Sequence, residues 1–203
     1  IHFQEWWIRH RAALPAHGFV LVGVDAARPG PAVIDVIGGH TKAINATIST
    51  LSPHIRGGKL PPVTWITPRF VPACSDELLR GLGALAAETG ALVQTHCSES
   101  IWEHGVVLER YGHSDTVALQ TMGLLREGTV LAHGNHLGDD DLPLIRAAGA
   151  GVAHCPLSNT YFANGVFPTR RVLDAGVKVG MGTDIAGGAE PGLLHQCALA
   201  VDV

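Results

Sequence analysis

The stretch TVLAHGNHLGDDDLPLIRAAGAGVAHC, residues 129–155, decides the fold. TVLAH (129–133) is a short, apolar, β-prone run of the kind buried in a parallel sheet. GDDDLPLIRAAG (138–149) has acidic residues at its start and Gly149 at its end, the charge and stop signals of a helix. GVAHC (151–155) is a second strand. Strand, helix and strand in so short a span form a βαβ unit, with parallel strands and a right-handed crossover. Both strands stop on a polar, metal-capable side chain, His133 and His154.

The same alternation extends in both directions. Upstream, VTWIT (63–67) reads as a strand closed by Pro68. Ser75 then caps a helix running to Glu88, with Asp76 and Glu77 in its first turn and Gly90 as its stop. ALVQTH (91–96) is the next strand, followed by helices around 100–111 and 116–125. Downstream, VFPTRRVLDAG gives a helix ending at Gly176, VKVGMGTD (177–184) the last strand, and a final helix starts near Leu193. Gly180 and Gly182 suggest close backbone approach within that last strand. Strands alternating with helices predict an α/β fold with a parallel sheet.

Residues 1–55 are less well specified. GFVLVGV (18–24) and AVIDVIGG (32–39) are plausible strands, and HIRGGKLPP (54–62) reads as a loop or boundary. The expected organisation is therefore a poorly specified segment over 1–55 and a (β/α)-barrel portion over 56–203. A complete barrel of this kind takes about 250 residues. The chain opens on Ile1 and stops at Val203 inside an apolar helical pattern, so a partial TIM-like barrel lacking its first unit or units is expected, a fragment of a larger protein.

Bulk properties exclude several classes. The chain has 203 residues, 46% of them hydrophobic and 16% charged, and a formal net charge of −4, which argues against a nucleic-acid or anionic-membrane surface. The longest apolar stretch, Phe19 to Val24, is too short to cross a membrane. No signal-peptide pattern opens the chain. Cys74, Cys97, Cys155 and Cys197 form no CxxC pair and no disulfide framework. They are expected to be small buried packing residues in a reduced, cytoplasmic setting. GxSxG, HExxH, GxGxxG, GxxxxGK[ST] and PCxxC are all absent.

Four strand ends remain as the carriers of chemistry. His96, His133, His154 and Asp184 each end an apolar run, separated by 37, 21 and 30 residues, about one βαβ repeat apiece. A parallel barrel gathers the C-terminal ends of its strands around one pocket. Imidazole nitrogens and a carboxylate delivered there suit a metal site that keeps a position open for water. Glu99, three residues beyond His96, stands where a carboxylate can move a proton between that water and a leaving group, although S-E-S-I-W-E also reads as a helix cap. His133 is either a ligand or a donor to the activated water; His154 could do likewise, although H-C-P-L-S-N, with Pro156 and Asn159, suggests a structured turn. Arg69 and Phe70, after the 63–67 strand, offer a guanidinium for a ring acceptor and an aromatic face for stacking. His104, His113, His136 and His195 are expected at the surface.

TPRFVPACS, QTHCSES, VLAHG, AHCPLSN and GTDIAGG together resemble the amidohydrolase superfamily, from about Arg56 to Val203. P-R-F followed by C-S is more particularly similar to its guanine deaminase family. The resemblance implies a zinc ion, which iron can replace, held by His96 and Asp184. It implies Glu99 as proton shuttle, His133 orienting the activated water, and Arg69 and Phe70 holding a purine that His96 and Glu99 also face. The implied reaction is attack of that water on the amino-bearing carbon of guanine, with Asp184 taking the water's proton and Glu99 protonating a ring nitrogen, and loss of ammonia to give xanthine. A homodimer is implied as well. The family's first strand carries an H-x-H pair of zinc ligands that this chain lacks; Ile1-His2-Phe3-Gln4 is a candidate remnant. Two other readings are open: a related aminohydrolase acting on triazines, pterins or adenosine-like compounds, and a catalytically incomplete fragment that binds purine or metal without turnover.

Overall fold

The computed structural model describes residues 19–23, 32–37, 64–184, 187–188, 190 and 192–202. His2 and Gln4, the candidate remnant of a metal motif, lie outside them. The sheet has seven strands in sequential order: β1 (Phe19–Gly23), β2 (Ala32–Ile37), β3 (Thr64–Pro68), β4 (Leu92–Cys97), β5 (Thr129–His133), β6 (Gly151–His154) and β7 (Lys178–Met181). β1 runs antiparallel to β2, and every later neighbour pair is parallel. Sequential parallel order with intervening helices is the winding of a TIM-type (β/α) barrel, of which this chain forms part.

The helices are α1 (Asp76–Thr89), α2 (Ile101–Tyr111), α3 (Asp115–Thr121), α4 (Asp141–Ala147), α5 (Pro156–Tyr161), α6 (Thr169–Asp174) and α7 (Leu193–Asp202). α1 shows why the sequence signals work. The Ser75 hydroxyl accepts the Leu78 N–H at 3.2 Å, and Gly90 takes a left-handed φ of 70° to close the other end. Between them Leu78, Leu79, Leu82, Leu85 and Ala86 bury one face in the core. α5 is a correction: the H-C-P-L-S-N string was expected to form a turn, but Pro156 opens a helix, where its missing N–H costs nothing.

The core lies between this helical layer and one face of the sheet, with Ile66, Val93, Leu131 and Val152 pointing into it. β4 and β5 alternate buried and less buried residues, so their second face is left partly open. A cavity of about 570 Å³ is lined by Leu92, Thr129, Gly151 and Lys178 at the N-terminal ends of the strands and reaches Ala153 and Met181, beside the polar end of β6.

Two glycines are fixed by close approach. A Cβ on Gly83 would overlap the Met122 carbonyl oxygen, where α1 packs on the end of α3. Gly83→Ala is therefore expected to cost about 3 kcal/mol, read as a lower denaturant midpoint at unchanged m-value; an unchanged midpoint would contradict this packing. At Gly182 a Cβ would lie 2.7 Å from Cys155 Sγ, as close approach requires, whereas Gly180 faces open space and does not fit that expectation.

Three of the four cysteines are buried as expected, but Cys197 on α7 is exposed. The surface histidines need a larger correction. Of these four only His195 is exposed; His104, His113 and His136 are half-buried, against Asp115, the Tyr111 ring and the Asn164 carbonyl respectively. Among the described residues no helix is long and apolar enough to cross a membrane.

Candidate metal centre

β4 delivers His96 and β5 delivers His133. Cys97 and His133 are paired in register, so the two imidazoles arrive on adjacent strands. Their rings stack at 5.2 Å between centroids. In strict alternation they would occupy opposite faces of the sheet. The alternation breaks at His133, which takes a left-handed φ of 71°. Ser98 (φ 48°) and Asp184 (φ 47°) share that conformation, just beyond the ends of β4 and β7. Strain in non-glycine residues at three strand ends marks a site the surrounding structure holds in place.

Each ring has its Nδ1 committed. His96 Nδ1 donates to the Arg69 carbonyl at 2.7 Å. His133 Nδ1 donates to Asn159 Oδ1 at 2.9 Å, and Asn159 Nδ2 in turn donates to Asn135 Oδ1 at 2.7 Å, which identifies Oδ1 as the acceptor. Both Nε2 atoms are left with free lone pairs, the tautomer a metal ligand needs. Burial, and then the neighbouring His133, push the His96 pKa below its ordinary value, so its ring is neutral at pH 7. It also senses the carboxylates of Glu99 and Asp184.

Glu99 completes the cluster. Its Oε2 lies 3.7 Å from His133 Nε2, and one donor atom each from His96, Glu99 and His133 fall within 4.8 Å of one another. Glu99 avoids the capping role its surroundings offered. Ser100 is the N-cap of α2, accepting the Glu103 N–H at 3.2 Å, and the Glu103 carboxylate accepts the Glu99 N–H at 3.0 Å. The cap is made by Glu103, which frees the Glu99 side chain for the site. Two imidazole nitrogens with free lone pairs and a carboxylate fit the donor preference of zinc, and iron accepts the same set.

Asp184 is not one of that trio. Its Oδ2 accepts the Ser158 hydroxyl at 2.5 Å, and its carbonyl turns back onto the N–H groups of Gly187 and Gly188. His154 is 2% exposed, stacks on Phe167 at 4.7 Å, and its Nδ1 has no hydrogen-bond partner. Burial first, and then His133, lower its pKa to about 4, so it is a neutral packing group. Arg69 is exposed, with its guanidinium carbon 4.4 Å from the centroid of the buried Phe70 ring; that ring also meets Trp102 at 6.3 Å.

Sequence reasoning missed the polar residues behind the site. Asn135 Nδ2 donates to the Glu99 carbonyl at 2.9 Å, and Asn164 Nδ2 donates to Glu99 Oε1 at 2.7 Å. Ser98, fully buried, donates to Asp115 Oδ2 at 3.0 Å, and His104 meets the same oxygen. Glu103 Oε1 and Asp115 Oδ1 are buried without partners. Burial, reinforced by Asp115, raises the Glu103 pKa to about 8 from an ordinary 4.5. The folded carboxyl therefore keeps a proton that the unfolded one loses. Its contribution to stability is full below pH 4.5 and falls as pH rises towards 8. Melting temperature should drop across that window, and Glu103→Gln should flatten the drop; an equal slope in both proteins would refute this.

A (β/α) fold whose strand ends bring two imidazoles and a carboxylate together has the donor set of a metal-dependent hydrolase. Comparison with known proteins narrows it. The amidohydrolase family profile matches residues 36–203, and the chain belongs to that family. The match begins upstream of Arg56, where the motifs start, because β2 carries no motif to read. The chain is 40% identical over 131 residues to a probable guanine deaminase of Schizosaccharomyces pombe, covering 64% of this chain and 25% of that protein. It is 43% identical over 111 residues to a 5-methylthioadenosine/S-adenosylhomocysteine deaminase of Thermococcus onnurineus, covering 55% and 26%. A crystal structure of guanine deaminase from C. acetobutylicum with guanine in its active site superposes with a TM-score of 0.74 at 28% identity, covering 85% of this chain and 43% of that one. The aligned region thus spans about a quarter of the curated relatives' length.

Proposed function

We propose that residues 56–203 are the catalytic portion of a cytoplasmic, homodimeric aminohydrolase that removes the amino group of guanine as ammonia, leaving xanthine. The observation that supports this best is the convergence of His96, Glu99 and His133, with the Nε2 of His96 left free for a metal and that of His133 free to accept from a water. In this reading His96 and Asp184 hold a zinc ion, which when bound supplies Lewis-acid activation of water.

The chain's own residues do the rest. His133, fixed through Asn159, orients the attacking water. Asp184 takes the water's proton, and Glu99 delivers one to the ring nitrogen next to the reacting carbon, so the ring accepts electrons as the tetrahedral centre forms. Glu99 Oε2 is placed for this beside His133, with Oε1 already engaged by Asn164. As the centre collapses, Asp184 passes the water's proton to the amino group, which leaves as ammonia, and the new hydroxyl returns its proton to Glu99 as it becomes the carbonyl of xanthine. Arg69 binds the acceptor edge of the purine, and Phe70 supports it from below, its ring stacked under the guanidinium.

The Thermococcus relative favours a second reading, an adenosine-type thioether nucleoside as substrate. The test is ammonia release by the longest natural polypeptide carrying these residues, supplied in parallel with guanine, 5-methylthioadenosine and an amino-triazine. The highest kcat/KM on guanine is expected. Turnover of either alternative without guanine would overturn the substrate assignment.

A further inference from the structure

We infer that Asn164 is a positioning residue for deamination, acting by fixing which oxygen of Glu99 carries the transferred proton. The inference rests on the assignment of Glu99 as proton carrier made above. A free carboxylate is symmetric, so a proton collected on either oxygen is productive only half the time. Here the symmetry is broken. The Asn164 amide donates to Oε1 at 2.7 Å, leaving Oε2 to face His133 Nε2 at 3.7 Å. An oxygen already accepting a short N–H bond is the poorer base of the two. The proton is thereby directed to Oε2, on the imidazole side where the reaction takes place.

The turn that carries Asn164 is built to aim it. The Asn164 N–H donates to the Asn159 carbonyl at 2.9 Å, and its own carbonyl accepts from His136 Nε2 at 2.7 Å. The residues on either side have left-handed backbones, Ala163 at φ 54° and Gly165 at φ 135°. A Cβ at Gly165 would press on the His136 ring at 3.3 Å, so the close approach that holds the turn needs glycine. Asn159, in α5, also accepts from His133 Nδ1, so α5 and the turn after it orient both the imidazole and the carboxylate. His136, half-buried rather than on the surface, has its role here.

The experiment is a double-mutant cycle with Asn164→Ala, Glu99→Gln and the combined variant, run by single-turnover kinetics on whichever amino-heterocycle the wild-type protein deaminates. A wrong substrate assignment therefore leaves this test standing. Asn164→Ala is expected to lower kcat about 10- to 30-fold while KM stays within about twofold, since the donor acts on a proton transfer and not on binding. In the Glu99→Gln background the same change should cost less than about twofold, because no proton remains to be directed. Asn164→Asp, the same shape without the donor and with a like charge against Glu99, should lower kcat by about 100-fold or more. Equal losses in both backgrounds would show a structural role and overturn the inference, as would wild-type kcat in Asn164→Ala. If Asn164→Ala melts early, Asn164→Ser supplies the comparison: a hydroxyl donor there should recover part of kcat, and no recovery in a folded protein contradicts the role.

Discussion

Glu99→Gln is expected to retain bound metal and to lose about 10²- to 10⁴-fold in turnover, the range general acid–base groups contribute. The substitution preserves shape. A glutamine oxygen at the Oε1 position still accepts from Asn164, and the backbone remains pinned by Glu103 and Asn135. What changes is the atom beside His133: an amide nitrogen cannot take up a proton. Metal content by elemental analysis after dialysis, alongside ammonia release, separates the two functions. If the variant lost its metal, Glu99 would be a ligand rather than the proton carrier. If it kept near-normal turnover, the shuttle would be elsewhere.

His96→Ala should give the opposite pattern, with metal and turnover lost together. Removing a first-contact imidazole is expected to weaken metal binding by more than the ~10- to 100-fold typical of supporting groups. The change also deletes the Nδ1 bond to the Arg69 carbonyl, so the β3 end that presents Arg69 and Phe70 loses a tether. Its backbone N–H bond to the same carbonyl, at 2.9 Å, remains, and the sheet register is kept. The Kd for a bound purine, read without turnover, should therefore rise modestly. Full metal occupancy in the alanine variant would exclude His96 from the ligand set.

The sequence conveyed the strand ends because they rest on period and punctuation. An apolar run that stops on histidine can be read without knowing what lies beside it, and so could the Ser75 cap and the Gly90 and Gly176 stops. The partners of those residues could not be read. Asn135 and Asn164 sit in loops with no apolar rhythm, Asn159 lies in the short polar helix α5, and N-G at 164–165 signals only a turn. The left-handed backbones of Ser98, His133 and Asp184 leave no mark in composition, yet they break the strand alternation that would have sent His96 and His133 to opposite faces. α5 was hidden for a different reason, since a proline before a polar string reads as a stop when it can equally open a helix. The burial of His104 and His136 was not legible because their partners, the Asp115 carboxylate at the start of α3 and the Asn164 carbonyl in a turn, lie outside any local periodicity.

X-ray absorption at the zinc edge tests the central claim most directly. Zinc bound to the protein should show nitrogen and oxygen neighbours only, at about 2.0–2.2 Å with imidazole outer-shell scattering. A sulfur shell near about 2.3 Å would place the metal on a thiol such as Cys97 or Cys155, and would contradict the assignment of His96 and Asp184 as its ligands.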